Sequence, residues 1–232
     1  MIPKYIYELP SLMSSSDLES VYELVSYLPE NSNILEIGCF LGSVTCTIKE
    51  ACNKSNLYCV DIWSNEVHNS YLQGYDRKTI HEDITSDSTE WQKNTNHLEN
   101  VYMYKNNSMY VEFDTKFDFI FLDGDHTYNN VRAELIKYSK YLKPGGMLAG
   151  HDYGCPPCTK AITEFEGGVG FDETSSVRGN CNYVTRDNGL NVLETSEPNP
   201  LEEHLAPICF IQITNNNATV KVIKNEKYLF IL

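Results

Sequence analysis

Five residues in two short turns have the types and spacing to share a chemical task. They are Asp123, Asp125 and His126 in the segment LDGDH, and His151 and Asp152 in AGHDY. Carboxylates are hard oxygen donors for divalent cations, and imidazole serves as a ligand or as a proton carrier near neutral pH. A cation held by two acids with a histidine in reach can polarise a hydroxyl and help remove its proton. Plainer roles stand beside these. Asp125 could cap a helix starting near Thr127, and His126 could be a solvated turn residue.

Such a site needs both turns delivered to one place. Residues 117–122 are apolar except Asp118 and contain no turn former, the pattern of a strand buried on both faces. Asp123 follows where that strand would end. Val131, Leu135, Tyr138 and Leu142 then recur at helical spacing. Lys143, Pro144, Gly145 and Gly146 stop the helix, and residues 147–149 form a short strand ahead of His151 and Asp152. Neighbouring strands of an open parallel sheet bring their carboxyl ends to one edge, where ligands bind. Both turns should therefore meet in one crevice.

The upstream half has the same grammar. Residues 33–38 read as a strand running into the turn of EIGCFLGS, and residues 43–52 as the next helix. Its glycines let the backbone approach a ligand, and the helix start supplies free N–H donors. The pair Gly38 and Gly42 is too widely spaced for the dinucleotide fingerprint. Asp61 ends a second strand, 57–61, where an acid either accepts the hydroxyls of a ribose or caps a helix. Ser16 and Glu19 have capping-box spacing ahead of a helix that carries Leu18, Val21, Tyr22, Val25 and Leu28. Residues 64–97 are polar and poorly periodic, and read as an insertion or lid with one or two short helices. Strands are predicted at 101–104, 182–186, 208–214, 219–224 and 228–232, and a helix at 157–165. Cys155 and Cys158 form a lone C-x-x-C, either a redox pair, half of a zinc site, or two thiols in a loop.

The 232 residues carry a net charge of −14, which repels phosphate backbones and argues against nucleic acid as a partner. The length suits one domain spanning 1–232. No apolar run has the length of a membrane span, and the N-terminus lacks the apolar core of a signal peptide. The eight cysteines are scattered, which fits reduced thiols in the cytoplasm. The apolar residues 228–232 offer a strand that could pair across a homodimer.

With EIGCFLGS, VDIW and LDGDH…KPGGMLAGHDY in order, roughly residues 30–165 resemble class I S-adenosylmethionine-dependent methyltransferases. The look is that of methyltransferase family 24, the branch with macrocin-type sugar O-methyltransferases. The resemblance implies an α/β fold, a Rossmann-like doubly wound seven-stranded sheet, mostly parallel with an antiparallel last strand. It implies S-adenosyl-L-methionine as cofactor, with Glu36, Gly38, Gly42 and Ser43 on its methionine and ribose side. Asp61 would hold the ribose hydroxyls, Ile62 and Trp63 would flank the adenine, and Ser108 would lie at the adenine edge. Asp123 would touch both cofactor and metal. Asp123, His151 and Asp152 would hold Mg²⁺ or Mn²⁺, although relatives often carry an acid where His151 stands. His126 matches the position of a general base. The acceptor would be a small hydroxylated molecule, a sugar or a diol. A nucleic-acid methyltransferase and a non-catalytic cofactor-binding module are the competing expectations.

Overall fold

In a computed structural model, residues 1–64, 88–152 and 155–165 are described, together with the backbone of four strands beyond them. Five parallel strands form the heart of the sheet: β1 (Asn33–Ile37), β2 (Asn56–Asp61), β3 (Val101–Lys105), β4 (Phe117–Leu122) and β5 (Leu142–Gly150). Their spatial order is β3-β2-β1-β4-β5, so the chain winds outward from β1 in both directions. Alternate residues of these strands feed two cores. Ile34, Phe119 and Phe121 face one layer, and Leu35, Ile37, Ile120 and Leu122 face the other. That two-sided burial is why the strands read as unbroken apolar runs.

The first layer holds helices α1 (Lys4–Tyr7), α2 (Ser15–Ser26), α3 (Ser43–Ala51) and α4 (Ser88–Thr95). In α2, Leu18, Val21, Leu24 and Val25 are buried, and the helix packs against α3. Its capping box uses Ser14 and Asp17 rather than Ser16 and Glu19. The Asp17 carboxylate reaches back to the Ser14 amide, while Glu19 accepts from the Tyr7 hydroxyl. The second layer holds α5 (Tyr128–Tyr138) and α6 (Pro156–Phe165), which pack on each other. Helix α4 lies within the segment expected to be an insertion or lid. The rest of that expectation falls on residues 65–87, outside the described residues.

Two expectations need correction. Strand β5 is nine residues long, not three. Lys143 to Gly146 lie inside it as an irregularity, where the register shifts between Phe117↔Leu142 and Phe119↔Met147. Gly145 takes φ +78° there, a conformation that lets the strand kink and resume. The sheet is also not seven-stranded with one antiparallel strand. Among the described residues it has nine strands, four of them antiparallel: β6 (Asn182–Arg186), β7 (Gly189–Leu193), β8 (Ile208–Thr214) and β9 (Asn217–Ile223). β8 pairs with β5, then forms a hairpin with β9. The β6–β7 hairpin joins the outer edge of β9. Short hairpin connections extend a sheet antiparallel without crossover helices. The strand expected at 228–232 lies outside the described residues. Among the described residues no helix is long and apolar enough to cross a membrane.

Candidate active site

Register builds the site. Ile37 pairs with Val60 on one side and Leu122 on the other, and Leu122 pairs with Gly150. Gly38, Asp123 and His151 therefore leave the sheet side by side, next to Asp61, the last residue of β2. Gly38 takes φ +83°, and a Cβ there would stand 1.9 Å from the Asp123 carbonyl oxygen. Only glycine lets the glycine turn lie this close to the acid turn. Three non-glycine residues on the same edge also have left-handed backbones: Phe40 (φ 46°), Trp63 (φ 41°) and Asp152 (φ 60°). Bulky residues held there store strain, and such strain gathers at ligand sites.

The glycine turn is fastened from several directions. Asp61 Oδ2 accepts from the amides of Cys39 at 2.8 Å and Phe40 at 2.9 Å, and its Oδ1 accepts from the Trp63 amide at 2.7 Å. Trp63 is 3% exposed, donates from Nε1 to the Phe40 carbonyl, and rests on Trp91 with ring centroids 5.0 Å apart. Trp91 in turn donates to Thr45 Oγ1 at 3.1 Å. Of the pair expected to flank the adenine, Ile62 is exposed and Trp63 is packed inside. Ser43 opens α3 with its hydroxyl 2.8 Å from that of Ser11.

Glu36 lies fully buried beneath the turn. Its Oε2 accepts from the Thr45 hydroxyl at 2.7 Å, while Oε1 has no hydrogen-bond partner among the described residues. Burial pushes its carboxyl up to about 8, against the pull of the Thr45 and Cys59 hydrogen bonds. The unfolded chain gives up this proton near pH 4.5, so between pH 4.5 and 8 stability falls as pH rises. Glu36→Gln carries no such proton. Its thermal midpoint should fall less than the wild type's between pH 5 and 8, by on the order of 5 °C. Parallel melting curves across that range would place Glu36 in a charged state throughout.

On the far side, Ser108 donates its hydroxyl to Glu134 Oε1 at 2.5 Å. Its carbonyl accepts from Lys137 Nζ and the Tyr138 hydroxyl. Burial lifts the Glu134 carboxyl to about 7. Sequence reasoning missed Glu134, yet it sits at i+3 from Val131 and i−4 from Tyr138, inside the apolar stripe. A charged residue on a buried stripe is the signal that would have found it.

The acid turns converge as expected. His126 Nε2 lies 2.9 Å from Asp152 Oδ2 and 3.5 Å from Asp123 Oδ1. His151 Nδ1 lies 3.2 Å from Asp152 Oδ2 and 3.7 Å from Asp123 Oδ1. Its Nε2 faces Asp17 Oδ2 at 3.4 Å, without the alignment of a hydrogen bond. Asp17 was not singled out from the sequence. It lies four residues before Val21 and seven before Leu24, on the buried face of α2, which was its only signal. Asp125 stands apart: its Oδ1 accepts from the Thr127 amide at 2.8 Å, and its Oδ2 from Asn130.

Burial lowers the histidine pKa values, but the facing carboxylates outweigh it. They lift His126 to about 10 and raise His151 as well. Burial likewise raises Asp152, and the two imidazoliums reverse this and hold it below the usual carboxylate range. Asp123 is raised, chiefly by burial. Asp123, His126 and Asp152 each offer a ligand atom, all within 4.8 Å of one another. Two hard oxygens and an imidazole on that span fit a divalent cation. Without one, the two imidazoliums supply the neutralising charge. His151 lies against both acids but outside that trio.

Residues 35–153, just over half of the chain, match the family described as Methyltransferase domain. A proposed rRNA methylase from Clostridium thermocellum has a similar fold, with a TM-score of 0.52 at 14% identity. The alignment covers 91% of this chain and 98% of that one. The N-methyltransferase NodS from Bradyrhizobium japonicum WM9 gives a TM-score of 0.49 at 16% identity, over 85% and 94% of the two chains. No curated protein matches.

Proposed function

We propose that this chain, which belongs to the methyltransferase-domain family, methylates a hydroxyl oxygen of a small polyhydroxylated acceptor, a sugar or a diol, with help from a divalent cation. The chain is a class I methyltransferase of S-adenosylmethionine-dependent type. The oxygen acceptor and the cation are the proposal. One observation carries it: Asp123, His126 and Asp152 gather within 4.8 Å at the carboxyl ends of adjacent strands, against the glycine turn.

S-adenosylmethionine supplies a methyl group on a positive sulfonium. A bound divalent cation lowers the pKa of a hydroxyl that it touches. Everything else falls to the protein. Gly38, Gly42 and Ser43 shape the methionine and ribose side, with Glu36 behind them. Asp61 holds the ribose hydroxyls, and Ile62 and Ser108 border the adenine. Asp123 and Asp152 would hold the cation, and Asp17 faces the His151 ring beside them. Displacement at carbon is in line, so holding oxygen and methyl about 3–3.5 Å apart contributes much of the rate. With the two acids engaged on a cation, His126 would be free to accept the hydroxyl proton at Nε2. A net charge of −14 supports a small acceptor over a nucleic acid.

Calorimetry with S-adenosylhomocysteine tests the cofactor half. Binding is expected, and Asp61→Ala should weaken it by about 1.5–3 kcal/mol, the worth of hydrogen bonds to a charged group. Tighter binding of NAD would overturn the assignment. A panel of sugars and diols, assayed with and without chelator, tests the oxygen acceptor and the cation. Turnover confined to amines would replace oxygen with nitrogen.

A further inference from the structure

The C-x-x-C pair takes no part in the reaction proposed above, yet it lies directly behind the second acid turn. Cys155 precedes α6, and Cys158 closes its first turn. Pro156 and Pro157 have no amide hydrogens, so the Cys158 amide is the first free donor of the helix. Residues three apart on a helix surface are neighbours, so the start of α6 brings the two side chains together. The pair is also tied to the site. The Cys155 amide donates to the Asp152 carbonyl at 2.8 Å, and the Cys158 thiol donates to the His126 carbonyl at 3.6 Å. Access is unequal: Cys155 is partly exposed and Cys158 is 2% exposed. The described cysteines elsewhere, Cys39, Cys46, Cys52 and Cys59, are all buried.

We propose that Cys155 and Cys158 are a redox-active dithiol, converted by low-molecular-weight disulfides such as glutathione disulfide into an internal disulfide beside the acid–histidine cluster. The reachable Cys155 gives its proton to solvent, and its sulfur attacks one sulfur of glutathione disulfide. A Cys155–glutathione bond forms, the original disulfide breaks, and one glutathione leaves and takes up a proton. Cys158 then loses its proton and attacks the Cys155 sulfur, releasing the second glutathione. Two protein thiols are oxidised by two electrons, and one glutathione disulfide is reduced to two thiols. Thiol–disulfide exchange of this kind needs an accessible first sulfur and a resolving partner in contact with it. The oxidised pair no longer has the S–H that bonds the His126 carbonyl. Redox state is thereby linked to the backbone that carries the proposed base.

The test is chemical and does not depend on methyl transfer. The full chain is incubated with glutathione disulfide and mapped by peptide mass spectrometry. The wild type should lose two hydrogens, with Cys155 and Cys158 in one cross-linked peptide and no retained glutathione. Cys158→Ser should stop at a glutathione adduct on Cys155. That adduct should form at least about tenfold faster than one on Cys39, Cys46, Cys52 or Cys59. Cys155→Ser should leave Cys158 unmodified in the folded protein. A wild type that keeps glutathione on Cys155 without the internal bond would overturn the proposal, and so would a Cys155 no faster than the buried thiols. The wild-type map alone decides the first point if a variant fails to fold.

Discussion

Asp152→Asn should lower cation-dependent turnover by on the order of 10²–10³-fold while leaving S-adenosylhomocysteine affinity unchanged. Replacing the carboxylate by an amide removes one charge facing a cation. At 4 Å and an effective dielectric near 20, that attraction is about 4 kcal/mol per unit charge, before desolvation offsets part of it. The substitution spares the fold for a specific reason. Asp152 has φ 60°, and asparagine is among the few residues that tolerate that region. The same variant reports on the histidines. Asp152 is the nearest acid to His126, at 2.9 Å, and helps hold its pKa at about 10. In the variant, NMR titration should show the His126 pKa well below that value. A raised histidine pKa adds stability below about 6.5, and this is lost as pH climbs towards 10. The cation-free wild type should therefore melt lower at pH 10 than at pH 6, and Asp152→Asn should show less of that slope. Wild-type turnover that persists in excess chelator would remove the cation from the reaction.

Much of this arrangement was legible because its logic is local. A parallel strand buried on both faces is a continuous apolar run, and Phe119 to Phe121 could hardly be anything else. Where such a run stops at an acid, the sheet edge has been found, so Asp61, Asp123 and Asp152 could be placed beforehand. What stayed hidden depends on contacts between distant segments. Nothing near Asp17 in sequence says that its carboxylate meets His151, more than a hundred residues away. Nothing near Asp61 says that its oxygens are shared with the amides of Cys39 and Phe40. The β5 irregularity was invisible for another reason. Lysine, proline and two glycines stop a helix, and the same residues allow a strand to bulge. Neighbouring β4 decides between these, and a local reading does not include it. In the tail, the strands expected at 182–186, 208–214 and 219–224 stand as β6, β8 and β9, but β7 was missed, because Gly189–Leu193 has only Leu190, Val192 and Leu193 to mark it.

His126→Ala should lower kcat by about 10²–10⁴, the usual worth of a positioned base, with S-adenosylhomocysteine affinity unchanged. Two roles compete for this residue, since its Nε2 lies where it could take a proton or bind a cation. They predict different second measurements. As the base, its loss leaves Mn²⁺ affinity, read by electron paramagnetic resonance, within a few-fold of wild type. As a ligand, its loss lowers that affinity along with the rate. The base role also demands a pH limb. With cation bound, kcat should rise with pH as His126 loses its proton, and the alanine variant should lack that limb. Added imidazole, entering the space left by the ring, should restore part of the rate in the variant. The pH sense of cation uptake follows from the same charges. A histidine protonated up to about pH 10 must release its proton when a cation binds the acids around it, so apparent Mn²⁺ affinity should increase from pH 6 to pH 9. If His126→Ala turns over at the wild-type rate across that range, the base is elsewhere. Positioning by the glycine turn and the two acids would then account for the chemistry alone.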